Sequence, residues 1–126
     1  MENNCCSCSV LGNRIVMSCS GASNFGQISN SLAVEMQCRG MGNMSCLAAV
    51  GAGLSGYIKS AREADQLVVI DGCNVACGQK IMEATGIKDY VYFVVSDKLP
   101  DVKKEKIYDE IAEHTQALWD KLIESL

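Results

Sequence analysis

Apolar residues along this chain fall into short unbroken runs that alternate with stretches of helical period. Arg14-Ile15-Val16-Met17-Ser18 is a short apolar run that stops at Cys19-Ser20-Gly21-Ala22-Ser23-Asn24, a segment of turn formers and helix N-cap residues. Phe25, Ile28, Leu32 and Met36 then repeat on one helical face and Gly40 supplies a stop, which predicts a helix to Arg39. A Met- and Gly-rich link leads to Cys46 and to a second helical stretch, Leu47 to Ala64, whose glycines dilute its propensity. Leu67-Val68-Val69-Ile70 is an uninterrupted apolar run, as expected of a strand covered on both faces, and Asp71-Gly72-Cys73 ends it. Val75 to Thr85 reads as a helix closed by Gly86, and Tyr90 to Val95 as another strand. After Pro100-Asp101, a long helix should carry Ile107, Ile111, Leu118 and Leu122 on one stripe. The pattern predicts an α/β fold, a small parallel sheet of about three strands flanked by helices.

That alternation gathers distant cysteines. Cys19 follows the first strand, Cys73 follows the second, and Cys46 and Cys77 stand where helices should begin. The helix after Cys19 descends roughly 20 Å at about 1.5 Å per residue, which sends Cys38 to the opposite edge of the sheet. The link from Arg39 to Ser45 can climb back, since an extended chain covers about 3.3 Å per residue. Cys19, Cys46, Cys73 and Cys77 are therefore expected at the carboxyl edge, where open α/β sheets place their sites.

Composition narrows the class. A chain of 126 residues with 48% hydrophobic side chains can bury one core, so 13–126 reads as a single α/β domain, preceded by a flexible arm, 1–12, that carries Cys5, Cys6 and Cys8. A net charge of -4 argues against nucleic acid or anionic lipid as partners, because both need clustered Lys and Arg. The one dense basic stretch, Lys103 to Lys106, is interrupted by Glu105 and reads as a solvated helix face. Met1-Glu2-Asn3-Asn4 lacks the pattern of a secretory signal, and Leu47 to Gly53 falls far short of the roughly 20 residues a membrane helix needs. A cytoplasmic protein without a membrane span is expected. Neither a protein partner nor an oligomeric state is legible. In a reducing compartment, abundant thiols bind metal or do redox chemistry more often than they pair as disulfides.

Four thiolates suit zinc, which takes sulfur at roughly 2.3 Å in a closed tetrahedron typical of structural or sequestering sites. Such a site carries about -2 charge and needs compensation, which the helix starts near Asn24, Cys46 and Val75 can offer through their amides. Gly21, Gly72 and Gly78 would let backbone approach the sulfurs, and Asp71 is expected to fasten the strand-to-helix turn rather than bind metal. Other readings stand beside this one. Buried cysteine is often inert; Cys19 or Cys77 could serve thiol redox or sulfur transfer; and an iron-sulfur cluster also takes four thiolates. Copper(I) would accept the same sulfurs with Met36, Met41 and Met44 near in sequence, and the Cys5, Cys6 and Cys8 arm could deliver an ion, though gap-filling is the commoner role of methionine. The loop after Cys19 resembles the phosphate-binding loop of low-molecular-weight tyrosine phosphatases and arsenate reductases, but Phe25 stands where their arginine clamp belongs. No catalytic constellation emerges. Gly51-Ala52-Gly53 with Gly56 reads as close packing rather than a dinucleotide fingerprint, His114 as a packed histidine, and Trp119 as an anchor of the last helix or an interface residue.

Val69-Ile70-Asp71-Gly72-Cys73-Asn74-Val75-Ala76-Cys77, with Cys19-Ser20-Gly21-Ala22-Ser23-Asn24 and Met44-Ser45-Cys46-Leu47-Ala48 before it, resembles the DGC domain family, named for its Asp-Gly-Cys motif. The likeness covers nearly all of the chain after the first dozen residues. It implies a zinc-binding domain with Cys19, Cys46, Cys73 and Cys77 as chelating residues, and it implies no reaction.

Overall fold

The computed structural model describes residues 12–126; the arm bearing Cys5, Cys6 and Cys8 lies outside the described residues. Four parallel strands form one sheet in the order β2-β1-β3-β4: β1 Arg14–Ser18, β2 Asn43–Met44, β3 Gln66–Asp71 and β4 Val91–Val94. The sheet thus has one strand more than the apolar runs predict. Asn43–Met44 is too short to show a period and gains strand character only by lying beside Ile15 and Val16.

Period-two alternation in the central strands divides the core between two faces. Val16, Val68 and Ile70 point into a cluster with Phe25, Ile28, Leu32 and Met36 of α1 (Asn24–Cys38) and Leu118 and Leu122 of α5 (Ile111–Glu124). Ile15, Met17, Leu67 and Val69 point the other way, against Leu47 and Val50 of α2 (Leu47–Gly51), Ala61 of α3 (Ser55–Glu63) and Met82 of α4 (Cys77–Thr85). Because β1 and β3 are covered on both faces, their runs are continuously apolar, as parallel-sheet interiors require.

Three helix expectations change. The stretch from Leu47 to Ala64 is two helices rather than one, parted at Ala52-Gly53-Leu54, where Gly53 takes φ +80°. The helix after Cys73 starts at Cys77, because Val75 and Ala76 are spent turning the chain. The last helix begins at Ile111, so Ile107 is off its stripe and 54% exposed, and Lys103 to Lys106 lie in irregular backbone instead of a helix face. Gly86 closes α4 in the left-handed conformation at φ 74°, as read from the sequence. Met36 is buried as a core filler, Gly51 sits against Ile81, and Trp119 packs on the α1/α5 cluster with the Arg39 guanidinium 4.3 Å from its ring centroid. Among the described residues, no helix is long and apolar enough to cross a membrane.

Candidate metal centre

β1 and β3 run side by side in register, Ser18 opposite Ile70, so the residues that follow them leave the sheet together. Cys19 continues the ladder with its amide donating to the Ile70 carbonyl at 3.0 Å, and the Gly72 amide donates to Cys19 Sγ at 3.1 Å. The hydroxyl of buried Ser29, on α1, reaches the carbonyls of Ile70 at 2.9 Å and Cys19 at 3.2 Å. Burial pushes the Cys19 thiol above its ordinary pKa; the Gly72 amide and Ser29 pull it down, and the Asp71 and Cys77 charges push it up again.

Gly72 is obligatory for a steric reason. A Cβ there would lie 2.6 Å from the Gly26 nitrogen and 2.6 Å from the Phe25 carbonyl carbon, in the first turn of α1. Backbone meets backbone at this point, which holds the Cys73 loop against the Cys19 loop. Gly78 serves a different purpose than close approach to sulfur: its missing Cβ leaves room for the Asp71 carboxylate, which would otherwise be 2.7 Å away. Gly21 has room for a Cβ of its own, and the close approach there belongs to Gly26, whose Cβ would lie 2.8 Å from the Gly21 nitrogen.

Asp71 behaves as expected of a fastener. Wholly buried at the end of β3, it accepts from the Gly78 amide at 2.7 Å, the Gln79 amide at 3.0 Å and the Tyr92 hydroxyl at 2.6 Å. It thereby satisfies the first free amides of α4, whose N-cap residue, Ala76, has no side chain to do so. Cys77, the first residue of that helix, is exposed, and so is Cys46, which caps α2 and is tied to β1 through the Ser45 amide bonded to the Val16 carbonyl at 2.8 Å.

All four cysteines singled out in the sequence line one cleft of about 990 Å³ at the carboxyl edge, together with Met44, Val75 and Ile81. None of the four is in a disulfide. Cys38 ends α1 and does not line the cleft. The thiols share the cleft without being drawn into a cluster: among the described residues, no group of three or more His, Cys, Asp and Glu is placed to hold a metal ion. By chemistry the donor set fits a thiophilic ion, while its spacing is that of an open site.

The sequence reading missed the cleft's other wall. Lys104 and Lys106 line it, and Lys104 Nζ lies 3.3 Å from Cys73 Sγ. Nothing local signals this, since the pair is 31 residues apart and the basic stretch looks like any solvated face.

An α/β domain with a thiol-lined cleft at its carboxyl edge is the class these features define. The family model described as the DGC domain matches residues 15–121, and the chain belongs to that family. Among curated proteins, the anaerobic and virulence modulator AnvM of Pseudomonas aeruginosa is 35% identical over 63 residues, covering 50% of this chain and 48% of that protein. The matched region thus spans about half the length of that relative. No solved structure matches the chain.

Proposed function

We propose that this chain is a metal-binding module that holds one zinc ion through the thiolates of Cys19, Cys46, Cys73 and Cys77. The observation that carries the reading is the convergence of four unpaired thiols, from three separate connections of the chain, on one cleft, while Cys38 stays away from it. Bound zinc would supply a closed tetrathiolate, with no open position for a substrate. The chain's own groups prepare for that charge: the Gly72 amide already donates to Cys19, and Lys104 already faces Cys73. No metal-ready cluster stands among the described residues, so in this reading loading an ion draws the four thiolates together. A site that closes on loading suits sensing or carrying an ion in a reducing compartment such as the cytoplasm.

A second reading rests on the same open spacing. Cys77, exposed as the first residue of α4, has the helix-start setting of a redox thiol, while Cys19, whose pKa burial raises, suits that role less. Elemental analysis of anaerobically purified protein separates the two. One zinc per chain, lost in each of Cys19→Ser, Cys46→Ser, Cys73→Ser and Cys77→Ser but kept in Cys38→Ser, is the expected result. Four titratable thiols with no metal would overturn it in favour of thiol exchange, and a brown protein absorbing near roughly 400 nm would replace zinc by an iron-sulfur cluster.

A further inference from the structure

The segment 103–108 crosses the carboxyl edge and is bolted to the Cys19 loop. Asn24, only 5% exposed at the start of α1, makes three bonds with it. Its backbone amide donates to the Glu105 carbonyl at 2.8 Å, its side-chain oxygen accepts from the Glu105 amide at 3.0 Å, and its side-chain nitrogen donates to the Lys103 carbonyl at 2.9 Å. Farther along, the Tyr108 hydroxyl donates to the Ala22 carbonyl at 2.6 Å. What the segment presents to the cleft is Lys104, against Cys73, with Lys106 beyond it on the same wall. Glu105, between them, also lines the cleft but forms no ion pair with Lys104 among the described residues, and the Asp71 carboxylate is already occupied by three donors, so the thiol is the partner that Lys104 meets.

We propose that Lys104, positioned by the Asn24 bolt, is the counter-charge of the cysteine cleft and that segment 103–108 is part of the site. For zinc this inference rests on the reading above. A divalent ion with four thiolates carries about -2 charge, and the ammonium group of Lys104, with that of Lys106 on the same wall, offsets part of it. The contact is solvent-exposed, so its effect is moderate and screened by salt.

Two measurements on the reduced full chain test the idea independently. In the metal-free protein, iodoacetate and iodoacetamide compete for each cysteine, and the ratio of the two labels at a given thiol reads the local charge, because only one reagent is an anion. At Cys73 that ratio should fall about threefold in Lys104→Met and persist in Lys104→Arg. It should stay unchanged in Lys103→Met, whose side chain does not line the cleft, and unchanged at Cys46 in every variant. With zinc, competition against a chromogenic chelator should show the dissociation constant rising about threefold to tenfold in Lys104→Met at low salt and converging with the parent at high salt. An unaltered ratio at Cys73, or an equal fall in Lys103→Met, overturns the proposal whether or not zinc binds. An unaltered zinc affinity in Lys104→Met overturns the counter-charge role toward the metal. A parent that takes up no zinc sinks the metal reading, and the labelling ratio then decides Lys104 by itself.

Discussion

Asp71 shows what one residue can organise. A buried carboxylate without partners is costly, so its three donors are a condition of its being there. Two of those donors are helix amides that would otherwise be orphaned, and the third, Tyr92, stands on the neighbouring strand. The arrangement ties β3, α4 and β4 at the point where Cys77 emerges. Tyr92 in turn is held protonated: burial, followed by its bond to Asp71 and the Asp71 charge, pushes its pKa well above 10.0. The folded state therefore keeps a proton that the unfolded chain releases. The stabilisation is complete below the ordinary tyrosine value and is lost as pH climbs past it, so unfolding free energy should decline from about pH 10 upward. Tyr92→Phe should cost about 1 kcal/mol at neutral pH and flatten that alkaline decline, as measured by urea unfolding across pH. Equal slopes in both proteins would remove Tyr92 as the cause.

At the scale of elements, two backbone positions shape the turn from β3 into α4. Gly72 is pressed against the first turn of α1, and Ala76 adopts φ 61° without a glycine's freedom. Gly72→Ala should destabilise by about 3 kcal/mol or push the Cys73 loop off α1, because its Cβ would meet backbone, which cannot swing aside as a side chain can. Ala76→Gly should do the opposite and raise stability by about 0.5–1 kcal/mol, since a left-handed alanine is strained by more than glycine's extra chain entropy. Urea midpoints check both. A stabilised Gly72→Ala, or a destabilised Ala76→Gly, would contradict this account of the turn. The motif's glycine is thus explained by packing between two loops rather than by contact with a metal.

For the whole molecule, the cleft stands apart from what holds the fold together. Two apolar clusters close on either face of the sheet, and the cysteines sit beyond the strand ends: Cys19 and Cys73 flank those clusters, while Cys46 and Cys77 are exposed. On the proposed zinc reading, removing the ion with a chelator should therefore lower the melting temperature while leaving the far-ultraviolet circular dichroism unchanged. Ligand linkage predicts a loss of about 2.7 kcal/mol when free zinc is a hundredfold above the dissociation constant. Loss of cooperative unfolding on chelation would instead make the ion part of the folding free energy.

How much of this was legible follows from the range of each interaction. β1 was read to the residue because Arg14–Ser18 is apolar where it is buried and stops where turn formers begin. The convergence of Cys19, Cys46, Cys73 and Cys77 on one edge was also legible, since strand direction and helix rise carry a chain predictable distances. β2 escaped because Asn43–Met44 is a strand only beside β1, whereas the break at Gly53, left-handed just past α2, carries a local glycine signal that the reading of one continuous helix passed over. The sequence by itself determined the α/β alternation, the two-faced core and the set of thiols at the carboxyl edge, because these follow from periodicity and chain geometry. Only the tertiary structure decided that those thiols share a cleft without forming a tight cluster among the described residues, and that Lys104 crosses to Cys73. Those outcomes depend on contacts between segments far apart in the chain, set by packing, and no local pattern encodes them.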